Sequence, residues 1–287
     1  MIVWSLLKRN LKVFFRDKSS VFFSLLAVFI IIGLYVLFLR DTIMTGFEGM
    51  GDDAVHMLDN WIMAGMLAVT AITTTMGAFG IMVEDRAKNI MRDFTTAPIR
   101  RTSLVLGYVT SAFVVGMIMS LAALVLAEIY VVAYGGSLLT LFELVQVILI
   151  MLLSVFASSA MVFFLISFFK SVNAFATAST VLGTMIGFVT GIYIPIGNLP
   201  SAVQFIIKIF PVSHAGVLFR QVMMARPIEA AFAGAPAGMV EEFEQEMGVS
   251  FNFGGESLGP WGSVAILAAT AVIFFALATW NMSRKNR

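Results

Sequence analysis

The sequence predicts an all-α membrane protein with six transmembrane helices, and three observations carry that prediction. Of the 287 residues, 60% are hydrophobic and only 12% charged, and the mean hydropathy is +0.96. So few charges cannot cover a soluble core of that apolar content. The apolar runs are much longer than the ~10-residue strands of an outer-membrane barrel and do not alternate, so the spans are helices. Lys and Arg are also unevenly spread. Fourteen of the 18 fall on one side of the alternating topology, which marks that side as cytoplasmic.

Taken in order, residues 2–16 form a basic amphipathic segment. Trp4, Leu7, Leu11, Phe14 and Phe15 share helical spacing, while Lys8, Arg9, Lys12 and Arg16 lie elsewhere on the wheel. Such a segment (1–18 as a unit) lies on the inner leaflet before the first span. The first span runs from Ser20 to Leu39, enough at about 1.5 Å per residue to cross the hydrocarbon. A polar stretch, Arg40 to Asn60, precedes the second span, Trp61–Val83. The third begins after Arg101 and runs to Ala127, the fourth runs from Leu141 to Phe168, and the fifth ends at Ile194. Pro195, Pro200 and Pro211 punctuate residues 195–225, whose halves are each too short to cross. They read as two re-entrant helices in the outer leaflet. Residues 226–259 read as an extracellular loop with a short helix near Met239–Met247, and the last span is Trp261–Trp280. Both termini are then cytoplasmic in a multi-pass protein of the cell membrane.

Composition excludes several functions. The chain has no cysteine, hence no disulfide, thiolate metal site or cysteine nucleophile. It carries no G-x-x-x-x-G-K-[ST], so it binds no nucleoside triphosphate itself. It has no H-E-x-x-H or G-x-S-x-G, and its only histidines, His56 and His214, fall on the outer side. No catalytic residue, cofactor site or metal site is expected, and no nucleic-acid partner. Glu241, Glu242, Glu244 and Glu246 lack the Asp/Gly loop chemistry of a calcium site and read as a solvated helix face. The basic start is too long, and the run after Ser19 too apolar and without a cleavage site, for a cleaved signal.

The stretch Glu84–Arg101 stands out. Ala87, Ile90, Met91 and Phe94 at i, i+3, i+4 and i+7 give a short helix one apolar face. Glu84 and Asp85 suit its N-terminus, and Pro98 sets its limit. Arg86 and Arg92 are among the basic residues that make it a topology signal; the apolar stripe adds a docking face. On the fifth span, Ser179, Gly183, Gly187 and Gly191 are spaced by four. This small-residue stripe serves either intrachain packing or a subunit interface. On the second span, Thr70, Thr73, Thr74 and Thr75 either bond back to their own helix or form the mildly polar wall of a substrate path. Glu128 and Glu143 sit near the outer ends of spans three and four, close enough to the interface for solvation.

These residues resemble the ABC-2 type permease family, the membrane subunits of type V ABC exporters. Glu84-Asp85-Arg86, then Thr96-Ala97-Pro98-Ile99-Arg100 and Gly107, look like the family's pattern after its second span. Tyr193-Ile194-Pro195-Ile196-Gly197-Asn198-Leu199-Pro200, then Phe210-Pro211 and Arg220, look like its segment after the fifth. The departures are Asn89-Ile90 for the usual Gly-Thr, Tyr108 for the usual Lys after the third-span Gly, and Phe210 for the usual Asn. The resemblance covers the whole chain and makes residues 1–287 a single transmembrane domain.

The resemblance implies that residues 84–97 are a coupling helix seated in a groove of a separate ABC ATPase, which holds the ATP and Mg. Ile90, Met91 and Phe94 would fill the groove, Glu84, Asp85 and Arg92 would set register at its rim, and Arg86 belongs to the same coupling set. Two permease halves, alike or merely related, would enclose a path lined by spans two (Thr70, Thr73, Thr74) and five (Gly183, Gly187, Gly191). Pro195, Leu199, Pro200 and Pro211 would belong to the outer gate. The Met- and Phe-rich spans suit export of an amphiphile: a drug, an antimicrobial peptide or a lipid-like compound. Export of polysaccharide or sodium, or a non-transport membrane enzyme or scaffold, are the alternatives.

Overall fold

The computed structural model describes residues 2–40, 51–96, 99–169, 171–254 and 256–284. Ala97, Pro98 and Lys170 lie outside these residues, and so does the side chain of Arg92.

Among the described residues the protein is all-α apart from one hairpin. Helix α1 (Ile2–Arg16) precedes α2 (Lys18–Leu34), whose last turn continues as a π-helical segment, Tyr35–Leu39. Asp17 starts α2 by accepting the amide of Ser19 at its N-terminus. Helix α3 (Gly51–Ala87) is the longest of the described helices, at 37 residues, so the second span begins within what reads from sequence as a polar loop. After α4 (Ile90–Thr96) come α5 (Arg101–Ala133), α6 (Leu141–Ile166) and α7 (Val172–Val189). A single 3-10 turn, Ile196–Asn198, leads to α8 (Ser201–Ile209) and α9 (Pro211–Met223). Then α10 (Ala225–Ala231), α11 (Ala237–Glu246), the antiparallel pair β1 (Phe251–Phe253) and β2 (Glu256–Leu258), and α12 (Pro260–Arg284) complete the chain.

Among the described residues, six helices are long and apolar enough to cross a membrane: Lys18–Phe38, Asp53–Ala87, Thr102–Ala133, Leu141–Ile166, Val172–Val189 and Pro260–Asn281. Their burial is unequal. In α3, 83% of the apolar window is buried, against 17% in α7. Helix α3 is therefore the pole around which α2, α5, α6, α7 and α9 pack, whereas α7 presents most of its surface outward.

Helix breaks have local causes. Thr140 and Glu143 form a reciprocal capping box that starts α6. Ser171 caps α7 by accepting the amide of Ala174. Pro211 is the first residue of α9, and α8 and α9 meet there at 87°. The fifth span stops at Val189, short of Ile194, because Gly191 takes a left-handed conformation with φ +65°.

Residues 226–259, expected as a loop with one helix, are largely folded. They hold two helices and a hairpin whose register pairs Phe251 with Leu258. Phe251 is buried against the His214 ring, 5.3 Å away.

Candidate functional site

Two polar clusters sit at opposite ends of the bundle. At the end where α3 finishes and α5 begins, Asp85 is buried. It accepts a two-pronged bond from Arg9 of α1 (2.5 and 2.8 Å) and one from the Tyr108 hydroxyl of α5 (2.5 Å). The carboxylate also raises the Arg9 pKa above its ordinary value, chiefly through the direct hydrogen bond. Beside it the buried Asn10 donates to Ser111, which bonds back to Gly107. A Cβ at position 107 would stand 2.8 Å from Leu6, so glycine there is what lets α1 lie on α5. Arg86 donates to the carbonyl of Ile166 at the end of α6 (3.2 Å), and Asn281 of α12 donates to Ser167. One polar layer thus joins α1, α3, α5, α6 and α12.

Helix α4 hangs from this layer. Residues Lys88 and Asn89 form the turn, with Asn89 at φ +61°. Asn tolerates that left-handed region better than most other non-glycine residues, so Asn89 can hold the turn. The expected helix beginning at Glu84 is corrected by this geometry: Glu84, Asp85 and Arg86 finish the second span, and the short helix starts at Ile90. Asp85 is not at a rim but inside the bundle. Glu84 is on the surface and pairs with Lys88 at 2.7 Å. Met91 and Phe94 pack partly against the chain's own core, and the Arg9 guanidinium lies 5.7 Å from the centre of the Phe94 ring. Ile90 is half-buried, and Asp93 and Thr96 are exposed.

At the other end, Arg220 of α9 is fully buried. It donates to the carbonyls of Thr190 (3.1 Å), Gly191 (3.2 Å) and Gly248 (3.3 Å), and its guanidinium lies 4.9 Å from the Trp61 ring centre. Trp61 itself donates to the carbonyl of Met247 at 2.7 Å. The two side chains pin the end of α7 and the segment after α11 to the pole helix. Sequence reading named Arg220 only as part of a pattern; an arginine in an apolar stretch without a nearby acid was the available signal.

Close by, Asp59 is buried, accepts from Tyr130 (3.2 Å) and faces Arg40 at 3.8 Å. Arg40 also lies 5.0 Å over the Tyr134 ring. Glu143, expected to be simply solvated, forms a two-pronged pair with Arg226 (2.7 and 2.8 Å), and Glu128 accepts from the amide of Leu139. His214 is a satisfied core side chain between Ser263 (3.1 Å) and the carbonyl of Lys208 (2.9 Å).

The other sequence-derived residues are placed as follows. Thr70, Thr73, Thr74 and Thr75 all bond back to carbonyls of their own helix. Thr70, Thr74 and Thr75 are fully buried and only Thr73 is partly open, so within one chain they form no open wall. The three glycines of the fifth span are not brought to one contact. Gly191 is the left-handed stop, Gly187 is covered by the Tyr193 ring, and a Cβ at Gly183 would meet open space. Pro195 caps the 3-10 turn, Leu199 ends it, and Pro200 caps α8; with Pro211 at the break they set the course of the bent pair.

Six apolar spans, a short helix hung on a turn at one end and a proline-broken helix pair at the other are, among the described residues, the architecture of a multi-span membrane protein. The family model described as ABC-2 family transporter protein matches residues 56–280. The chain belongs to that family, whose members are membrane components that generally associate with an ABC ATPase. No curated protein matches the chain.

Proposed function

We propose that this protein is the permease subunit of an ATP-driven exporter, with ATP hydrolysed by a separate ABC ATPase that docks beneath α4. The observation that carries the reading is the mechanical continuity of α3. One helix runs the full depth of the bundle, ends at the Arg9–Asp85–Tyr108 cluster, and turns straight into α4. At its far end the same helix holds Trp61, against which Arg220 pins the bent pair. A push on α4 would pass through the Lys88–Asn89 turn into α3 and so reach the outer end. The end bearing α1, α4 and both termini is the cytoplasmic one by its excess of Lys and Arg. Two copies, or this chain and a related one, would face each other across α7, the least covered span. The substrate class is an amphiphile, moved outward by alternating access.

Co-expression with a candidate ABC ATPase from the same source tests the reading. The two should co-purify, and a panel of amphiphiles should stimulate ATP hydrolysis by the complex. Failure to co-purify would contradict the proposal.

A further inference from the structure

We propose that the face between α8 and α11 is a binding site for a zwitterion carrying a primary ammonium and a phosphate, as in a phosphoethanolamine headgroup. A cavity of about 320 Å³ lies there. Gln204 and Lys208, one turn apart on α8, form one wall; Glu242 and Glu246, one turn apart on α11, form the other. Ser250 and Asn252 lie between them.

Opposite charges share this cavity without neutralising each other. Lys208 donates to the carbonyl of Asn252 at 3.0 Å, and among the described residues no carboxylate lies within 4.0 Å of it. Its backbone is held by His214, whose ring bonds the Lys208 carbonyl. The facing helix is set equally firmly. The α11 backbone and the Glu246 stem press on Gly197, where a Cβ would find no room. A cation and two carboxylates held apart on separate rigid elements recognise a molecule that carries both signs. The phosphate would take Lys208, and the ammonium would take Glu242 and Glu246.

The source of the zwitterion follows from the other face of α8. Phe205, Ile206 and Ile209 are 60%, 60% and 56% exposed. A short helix with that apolar face lies in the membrane interface, which sets the cavity at headgroup depth. A lipid headgroup is therefore favoured over a soluble zwitterion. The assignment does not depend on what the protein transports.

Native mass spectrometry of the purified full chain in detergent tests it, using short-chain phosphatidylethanolamine, phosphatidylcholine and phosphatidylglycerol. Phosphatidylethanolamine should bind, and Lys208→Gln and the double change Glu242→Gln/Glu246→Gln should each weaken it at least tenfold. Phosphatidylcholine, whose quaternary nitrogen donates no hydrogen bond, should bind at least tenfold more weakly than phosphatidylethanolamine. Free phosphoethanolamine that binds with the same dependence on these residues would support the site and assign it to a soluble source. In the unsubstituted protein, ligand should protect Lys208 from acetylation by acetic anhydride, read by peptide mass spectrometry, which removes any question of misfolded variants. Equal binding of phosphatidylethanolamine to all three proteins, or no protection of Lys208, would overturn the proposal.

Discussion

Arg220 is the side chain with the most to lose. Its charge is fully buried, and its partners are three carbonyls and a ring rather than an acid. Arg220→Met should leave those acceptors without donors and cost about 2 kcal/mol or more of stability, while Arg220→Lys keeps the charge but not the fork or the stacking and should recover only part. Thermal unfolding in detergent checks the order, and a Met variant as stable as the parent would contradict it. Asp85 makes the matching case at the other end. Asp85→Asn should weaken the hold on α1 by about 1–3 kcal/mol, seen as faster tryptic cleavage within residues 2–16 while α3 and α5 stay protected. Unchanged cleavage would mean that the apolar contacts of α1 suffice. Neither role was legible locally. Asp85 looks like a charge at a helix start because its partner Arg9 lies 76 residues earlier. The carbonyls that hold Arg220 carry no side-chain signature at all.

Elements were more legible than their ends. All six spans follow from apolar length, and the proline-marked break after the fifth is a real 87° bend. What failed was the inference from spacing to contact. Gly183, Gly187 and Gly191 share a period of four, but the helix stops at Val189, so Gly191 is spent on the turn and Tyr193 folds back over Gly187. Period alone cannot see where a helix ends. These glycines should therefore behave differently. Gly187→Leu must displace the Tyr193 ring and should destabilise the monomer by about 1–3 kcal/mol through overpacking. A cysteine at position 183, which faces open space, should leave stability unchanged and form a disulfide between copies if α7 is the dimer face. Non-reducing electrophoresis reads that, and a lack of dimer would place the interface elsewhere. In the region 225–258 the helix near Met239–Met247 was legible, but the helix Ala225–Ala231 and the hairpin were not, for a related reason. Its strands are three residues each, and the buried anchors Phe251 and Met247 find their partners, His214 and Trp61, on distant helices.

At the scale of the whole molecule, the bundle reads as a lever with a fixed pole. Helix α3 is held at one end by Asp85 and at the other by the Trp61–Arg220 stack, and in the proposed mechanism movement of α4 would reach the outer helices through it. The orientation of that lever is testable in a chain that has no cysteine of its own. Single cysteines at positions 93 and 245 should be labelled by an impermeant thiol reagent from the cytoplasm and from outside, respectively. Labelling of position 245 from the cytoplasm would reverse the topology. The central claim, that α4 is where an ATPase docks, is tested most directly by photocross-linking. Benzoylphenylalanine placed at position 93, on the exposed side of α4, should yield on irradiation an adduct with the co-expressed ABC ATPase, and the same group at position 245 should yield none. Absence of the adduct at 93 in a complex that still hydrolyses ATP would contradict the account.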